Sequence, residues 1–351
     1  MILGIIRKAL PPIIACTVLV GLAQMGGQAR TYDLGTAFHC SYGVTRDERP
    51  AADILVVGNS QTGAGIDQIY LEELLGKDEP LRVEKLAITG TSLPTLRLLI
   101  DGYIEHRGAP GLVLYQPLVE RTANNGQQGR PLDYRVNLAL QDWDDIAELQ
   151  DEIVANPDDS ALPHWTARGY RTLPAMWVDR QVERISAALS FRRNEELVRA
   201  CSGDAKWKLT FYWPYGTAPL TAGAHRNHLD DPELRGQWSH ARDKALKVRW
   251  EDPSRFSERE QNRALIAALE SAGIEVVLLA LPKYGSADED SREARDLARI
   301  FGQDVIDIRT SLSPQQKVEL EDHFRDPVHV DFAGAELVTR TLVERIEERE
   351  R

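Results

Sequence analysis

From residue 51 onward the chain alternates short unbroken apolar runs with stretches whose apolar positions recur every three or four residues. Residues 53–58 (DILVVG) form the first such run, closed by a glycine, and behind it Ile66, Ile69, Leu71, Leu74 and Leu75 carry helical spacing. That order predicts strand, turn and helix. The unit repeats as an apolar strand at 81–88 ahead of Gly90, a helical stretch at 93–104 and a strand at 111–116 (GLVLYQ). It resumes with a helix over 258–272, a strand over 274–281 (IEVVLLAL), a helix over 291–300, a short strand over 305–308 and a last helix over 332–346. Such runs interleaved with helices are the mark of parallel βαβ units covered on both faces. The pattern predicts an α/β fold: one doubly wound, mainly parallel five-stranded sheet.

Between 122 and 255 the periodicity loosens, and all seven tryptophans fall there: Trp143, Trp165, Trp177, Trp207, Trp213, Trp238 and Trp250. This reads as a long, mostly helical insertion or cap, with helices at 143–154 and 176–201 and loop-like stretches at 208–216 and 222–231. Its tryptophans either fill a small core of their own or stack on sugar rings and line an acyl pocket. The expected organisation is an α/β domain in two parts, 30–121 and 256–351, around an insertion at 122–255.

The first 29 residues stand apart: 1–6 are apolar, Arg7 and Lys8 are positive, and no charged residue occurs from 9 to 29. The densest apolar part, 13–25, is shorter than the roughly 20 residues that cross a bilayer comfortably, and Pro11 and Pro12 weaken a helix at its start. Two readings remain: a signal peptide cleaved after Ala29, or an uncleaved membrane anchor with Arg7 and Lys8 on the cytoplasmic side. Either places the body outside the cytoplasm, in the periplasm or at the cell surface.

Composition narrows the partners. Lys and Arg number 42 against 54 Asp and Glu, a net charge of −12 with no long basic run, which argues against a nucleic-acid or anionic-lipid surface. Cys16, Cys40 and Cys201 have no CxxC spacing, so neither a zinc ribbon nor an iron–sulfur cluster is supported. Cys16 reads as a bland apolar residue rather than a lipidation site. In an oxidising compartment Cys40 and Cys201 are either one disulfide or two buried thiols. Neither a GxxxxGK[ST] nor a GxGxxG after a strand occurs, and no cofactor is implied.

In an open α/β sheet, ligands sit beyond the carboxyl ends of the strands. Three features converge there. Gly58-Asn59-Ser60 follows the first strand and sets a serine hydroxyl and its N–H in a turn at the mouth of the sheet, where it is a nucleophile if a base is near. Gly90 follows the second strand, where a residue without a side chain can aim its N–H at an oxyanion. Asp326-Pro327-Val328-His329 precedes the last helix, and its spacing lets Asp326 orient His329 while His329 takes the serine proton. Each also has a plain structural role: Ser60 as a turn or cap residue, DxxH as a chance pairing.

Taken in this order, the three resemble the SGNH hydrolase superfamily over about 51–121 and 256–348. Gly58-Asn59-Ser60 stands where that superfamily has Gly-Asp-Ser, Gly90 at its second-block glycine, and Asp326 with His329 at its terminal DxxH, followed by VDFAGA at 330–335. The resemblance implies Ser60 as nucleophile and oxyanion donor, His329 as base, Asp326 as triad acid and Gly90 as second donor. The departure follows the third strand, where Tyr115-Gln116-Pro117-Leu118-Val119-Glu120-Arg121 replaces the expected Gly-x-Asn-Asp, leaving Gln116 or Arg121 to furnish the missing donor. With ILVVGNSQTGAGID and IEVVLLALP, that segment is similar to the exported acyl-transfer branch that includes the alginate O-acetylation proteins and the D-alanine transfer protein. Such proteins modify polysaccharides or envelope polymers, often beside a membrane-bound O-acyltransferase.

The implied activity is an extracytoplasmic serine-dependent acyl esterase or O-acyltransferase on an acylated carbohydrate or envelope polymer. The alternatives are a catalytically silent glycan-binding or scaffold subunit of an envelope assembly, suggested by the missing asparagine, and a small-ester lipase. Other clusters weigh less. His225 and His228 with Asp230 and Asp231 read as a polar loop rather than a metal site, and Asp142, Asp144 and Asp145 as an acidic helix start. His39, His106, His164, His240 and His323 have no partner evident in the sequence and read as structural or surface residues, and 344–351 reads as a solvated helix end.

Overall fold

The computed structural model describes residues 44–45, 49–77, 79–87, 93–118, 256–285, 290–324 and 328–351. All belong to one compact unit drawn from Val44–Arg121 and Ser202–Arg351. The N-terminal segment, the insertion with its tryptophans and the three cysteines lie outside the described residues.

The unit is an α/β fold built on five parallel strands: β1 (Ile54–Gly58), β2 (Val83–Ala87), β3 (Leu112–Tyr115), β4 (Glu275–Ala280) and β5 (Val305–Asp307). Their order across the sheet is β2-β1-β3-β4-β5. The helices are α1 (Ser60–Gly65), α2 (Gln68–Leu75), α3 (Leu93–Arg107), α4 (Phe256–Ser271), α5 (Asp290–Phe301), α6 (Ile308–Ser311), α7 (Pro314–Asp322) and α8 (Phe332–Glu350).

Alternate residues of each strand feed two cores, which is why the strands show no polar alternation in sequence. Leu55, Val57, Leu86, Val113, Tyr115, Val276 and Leu278 pack with α3, α4 and α5. Ile54, Val56, Val83, Leu114, Val277, Leu279 and Ile306 pack with α2, α7 and α8. The sheet is therefore covered on both faces, as the doubly wound reading requires.

Two local details depart from the sequence pattern. The helix expected behind β1 is broken in two, because Asp67 caps a new helix, its carboxylate accepting from the N–H groups of Ile69 at 3.0 Å and Tyr70 at 3.1 Å. Between β5 and the DxxH segment, α7 begins with a reciprocal capping box: Ser313 and Gln316 satisfy each other's backbone N–H groups, with Pro314 at the first helical position. The charged tail continues α8 to Glu350. Among the described residues no helix is long and apolar enough to cross a membrane.

Candidate active site

The chain leaves β1 toward β2 on one side, and β3 pairs with β1 on the other, so the crevice beyond Gly58 and Tyr115 is the point where strand order reverses. Ser60 stands in that crevice as the first residue of α1. Asn59 holds it there: its backbone is extended and its Oδ1 accepts the Gln61 N–H at 2.8 Å. In the first turn of a helix the Ser60 N–H has no intrahelical acceptor and is available to a ligand oxygen.

Close approach of β1 to α1 depends on Gly58. A Cβ built there would lie 2.0 Å from Thr62 Oγ1 and 3.1 Å from Gln116 Cβ. Gln116, the first residue after β3, donates its backbone N–H to Val57 O at 2.9 Å. Its side-chain Nε2 donates to Gln61 Oε1 at 2.7 Å while its Oε1 accepts from the Thr62 hydroxyl. Gln116 thus reaches the serine turn, as the sequence reading asked of a replacement donor, but both ends of its amide brace that turn. Among the described residues Gln61 Nε2 is buried without a hydrogen-bond partner, an orphaned donor next to Ser60 in the chain.

His329 comes from the loop ahead of α8. That loop is tied down on both sides: Phe324 and Val330 form an antiparallel bridge, and the Asp331 N–H donates to His323 O at 2.8 Å. The Asp331 carboxylate accepts from Gly334 N at 3.0 Å and lies 3.3 Å from His323 Nδ1. Gly334 is required here, since a Cβ would meet Val330 Cβ at 2.7 Å and His323 Cβ at 2.9 Å. The outcome is a distance of 2.8 Å between His329 Nε2 and Ser60 Oγ, with both residues half-buried. For Nε2 to accept the serine proton the imidazole proton must sit on Nδ1, the nitrogen a triad acid holds. Asp326, Gly90 and Arg121 lie outside the described residues.

Several partners left little mark in the sequence. His323, read as unpartnered, pairs with Asp331. Glu84 and Lys85, adjacent on β2, are buried on opposite faces. Glu84 bonds Arg107 Nη2 at 2.8 Å and the Tyr103 hydroxyl at 2.7 Å, and burial together with that carboxylate pushes the Tyr103 phenol up. Lys85 Nζ donates to the carbonyl oxygens of Gly63 at 3.0 Å and Ile66 at 2.7 Å, at the far end of α1 from Ser60. Two charged residues inside a strand of a doubly covered sheet were the one available signal. Beyond Gln116, the fully buried Asn262 of α4 bonds the Tyr115 hydroxyl and both backbone groups of Leu118, fixing the exit from β3.

A cavity of about 650 Å³ opens at the other edge of the sheet, by Asp53, Gly111, Glu275 and Asp304 at the amino ends of the strands. Its one arginine, Arg349, is bonded to Glu275 and Asp304, and nothing there resembles the serine–histidine pair. Among the described residues no cluster of three or more His, Cys, Asp or Glu side chains could hold a metal ion, and His225 and His228 lie outside them. Compared with known proteins, the chain matches no family model and no curated protein.

Proposed function

We propose that this chain is an exported, serine-dependent acyl esterase or O-acyltransferase that acts on a carbohydrate or envelope polymer. The observation that carries the proposal is the 2.8 Å contact between Ser60 Oγ and His329 Nε2 at the carboxyl edge of the sheet. Two side chains 269 residues apart in sequence meet there with nucleophile–base geometry. Ser60 Oγ adds to an acyl carbonyl as its proton passes to His329. The oxyanion is held by the Ser60 N–H and, on the resemblance to SGNH hydrolases, by Gly90, with Asp326 holding the imidazole. Collapse expels the alcohol, which takes the proton from His329 and leaves an ester on Ser60. Water or a sugar hydroxyl then gives its proton to His329 and attacks the ester, and the second collapse expels Ser60 Oγ, which takes that proton back from His329.

The polymer substrate, the extracytoplasmic location and a membrane-bound O-acyltransferase as donor partner rest on the same resemblance and on the N-terminal segment. A second reading, a silent glycan-binding or scaffold subunit, draws on Gln116, whose amide is committed to Gln61 and Thr62 where an asparagine donor is expected.

Turnover of p-nitrophenyl acetate by the full chain, with and without an oligosaccharide acceptor, separates these readings. An esterase releases acetate without acceptor; a transferase is slow alone and forms acetylated oligosaccharide. In both cases Ser60→Ala and His329→Ala are inactive. Absence of either product from the folded parent favours the silent subunit.

A further inference from the structure

Lys85 is a buried cation that the proposed chemistry does not use. It sits on edge strand β2 in register with Val56 of β1, and its side chain crosses to α1, where Nζ meets the carbonyl oxygens of Gly63 and Ile66. Those carbonyls end the helix that Ser60 begins. The helix is only six residues long, too short to hold itself in place, and its N-terminal end is the reacting end. α8, which carries His329 at its entrance, packs against α1 and α2. The Thr339 hydroxyl of α8 accepts the Asp67 N–H at 2.9 Å. Lys85 and α8 thus grip the far end of α1 from opposite elements.

We propose that Lys85 is a positioning residue for Ser60: by holding the Gly63 and Ile66 carbonyls, its ammonium sets the depth of α1 and keeps the serine hydroxyl against His329. This rests on the reading of Ser60 as nucleophile. Among the described residues the charged groups around Lys85 are few. Asp67, capping α2, favours its protonated form; Glu72 of α2 accepts the Val83 N–H; Glu84 on β2 turns to the other face, toward Arg107 and Tyr103. Burial outweighs Asp67 and brings the ammonium down to about 8. A charged donor bonds a carbonyl more strongly than a neutral amine does, so the hold on α1 loosens as pH rises through that value.

The test is the rate at which a fluorophosphonate labels Ser60 of the full chain across pH 6.5–10, for the parent, Lys85→Met and Asp67→Asn, with hydrogen–deuterium exchange over residues 60–66. Asparagine still caps α2. The expected parent profile falls above pH about 8. Removing the Asp67 charge moves that fall to lower pH. Lys85→Met labels roughly tenfold or more slowly at neutral pH, as a misplaced nucleophile should, has no such fall, and exchanges faster over 60–66 with β4 unaffected. If the parent labels and Lys85→Met matches its rate, profile and exchange, the positioning role is overturned and Ser60 stands. If the folded parent does not label at any pH while exchange over 60–66 still depends on Lys85, the nucleophile reading fails, and the positioning role with it. If neither Asp67→Asn nor Lys85→Met moves the alkaline limb, the role assigned to the ammonium is wrong.

Discussion

One methyl group at Gly58 probes how closely the helix that Ser60 begins is seated on the sheet. In Gly58→Ala the new Cβ would fall 2.0 Å from Thr62 Oγ1, 2.7 Å from Thr62 Cβ and 3.1 Å from Gln116 Cβ. The first two cannot be relieved by swinging a flexible chain end, because Thr62 is fully buried in α1 and bonded to Gln116. Relief requires α1 to move away from β1 by over an ångström, carrying Ser60 from His329. Overpacking of this kind costs about 1–3 kcal/mol, and a misplacement of ~1 Å at the reacting atoms costs on the order of 100-fold in rate. Urea unfolding gives the first quantity and the fluorophosphonate labelling rate the second. A cycle with Thr62→Gly isolates the cause, since that change removes both Thr62 atoms and leaves the milder Gln116 contact. Gly58→Ala should then cost at least about 1 kcal/mol less in the Thr62→Gly background than in the parent. Equal cost in both backgrounds, or a parent labelling rate in Gly58→Ala, would refute the close-seating argument.

Two further outcomes follow from β2. Arg107→Ala removes the buried cation of Glu84, with side-chain exposures of 0% and 5% for the pair, leaves it only the half-exposed Arg49 at 3.9 Å, and should lower stability by about 3–5 kcal/mol in urea titrations. A loss below about 1 kcal/mol would show that water or Arg49 compensates the carboxylate and would contradict an uncompensated buried charge. Lys85, lowered from 10.5 to about 8, binds fewer protons folded than unfolded between those values, so its contribution to stability rises with pH across that window. The total is about 3 kcal/mol, seen as a slope of urea midpoint against pH that Lys85→Met abolishes. Stability therefore climbs over the range where labelling of Ser60 should fall, a pairing of signs that simple alkaline unfolding cannot produce.

The legible parts of the fold were those in which burial leaves a one-dimensional trace. DILVVG, GLVLYQ and IEVVLLAL are apolar throughout because helices cover both faces of the sheet, and each strand emerges within a few residues of its expected place. Ser60 and His329 were legible because the carboxyl edge of such a sheet is where side chains gather, and GNS and DPVH both border it. Contacts to main-chain atoms were not. Lys85 finds carbonyl oxygens, which every residue has, and nothing in Gly63 or Ile66 marks them as its partners. The division of α1 from α2 turns on Asp67 serving as a cap when the apolar spacing runs straight through it. His323 and Asp331 meet only because the chain doubles back between them in a bridge. The capping box of α7, by contrast, is written out as Ser313-Pro314-Gln315-Gln316, but no strong apolar period follows it to mark a helix.

The most direct test of an activated serine is intact-mass analysis of the full chain after exposure to a fluorophosphonate, with peptide mapping of the adduct and with Ser60→Ala and His329→Ala alongside. A serine hydroxyl 2.8 Å from an imidazole nitrogen should take up one equivalent, on Ser60, and neither variant should react. A folded parent that stays unlabelled, or an adduct that persists in Ser60→Ala, would contradict it.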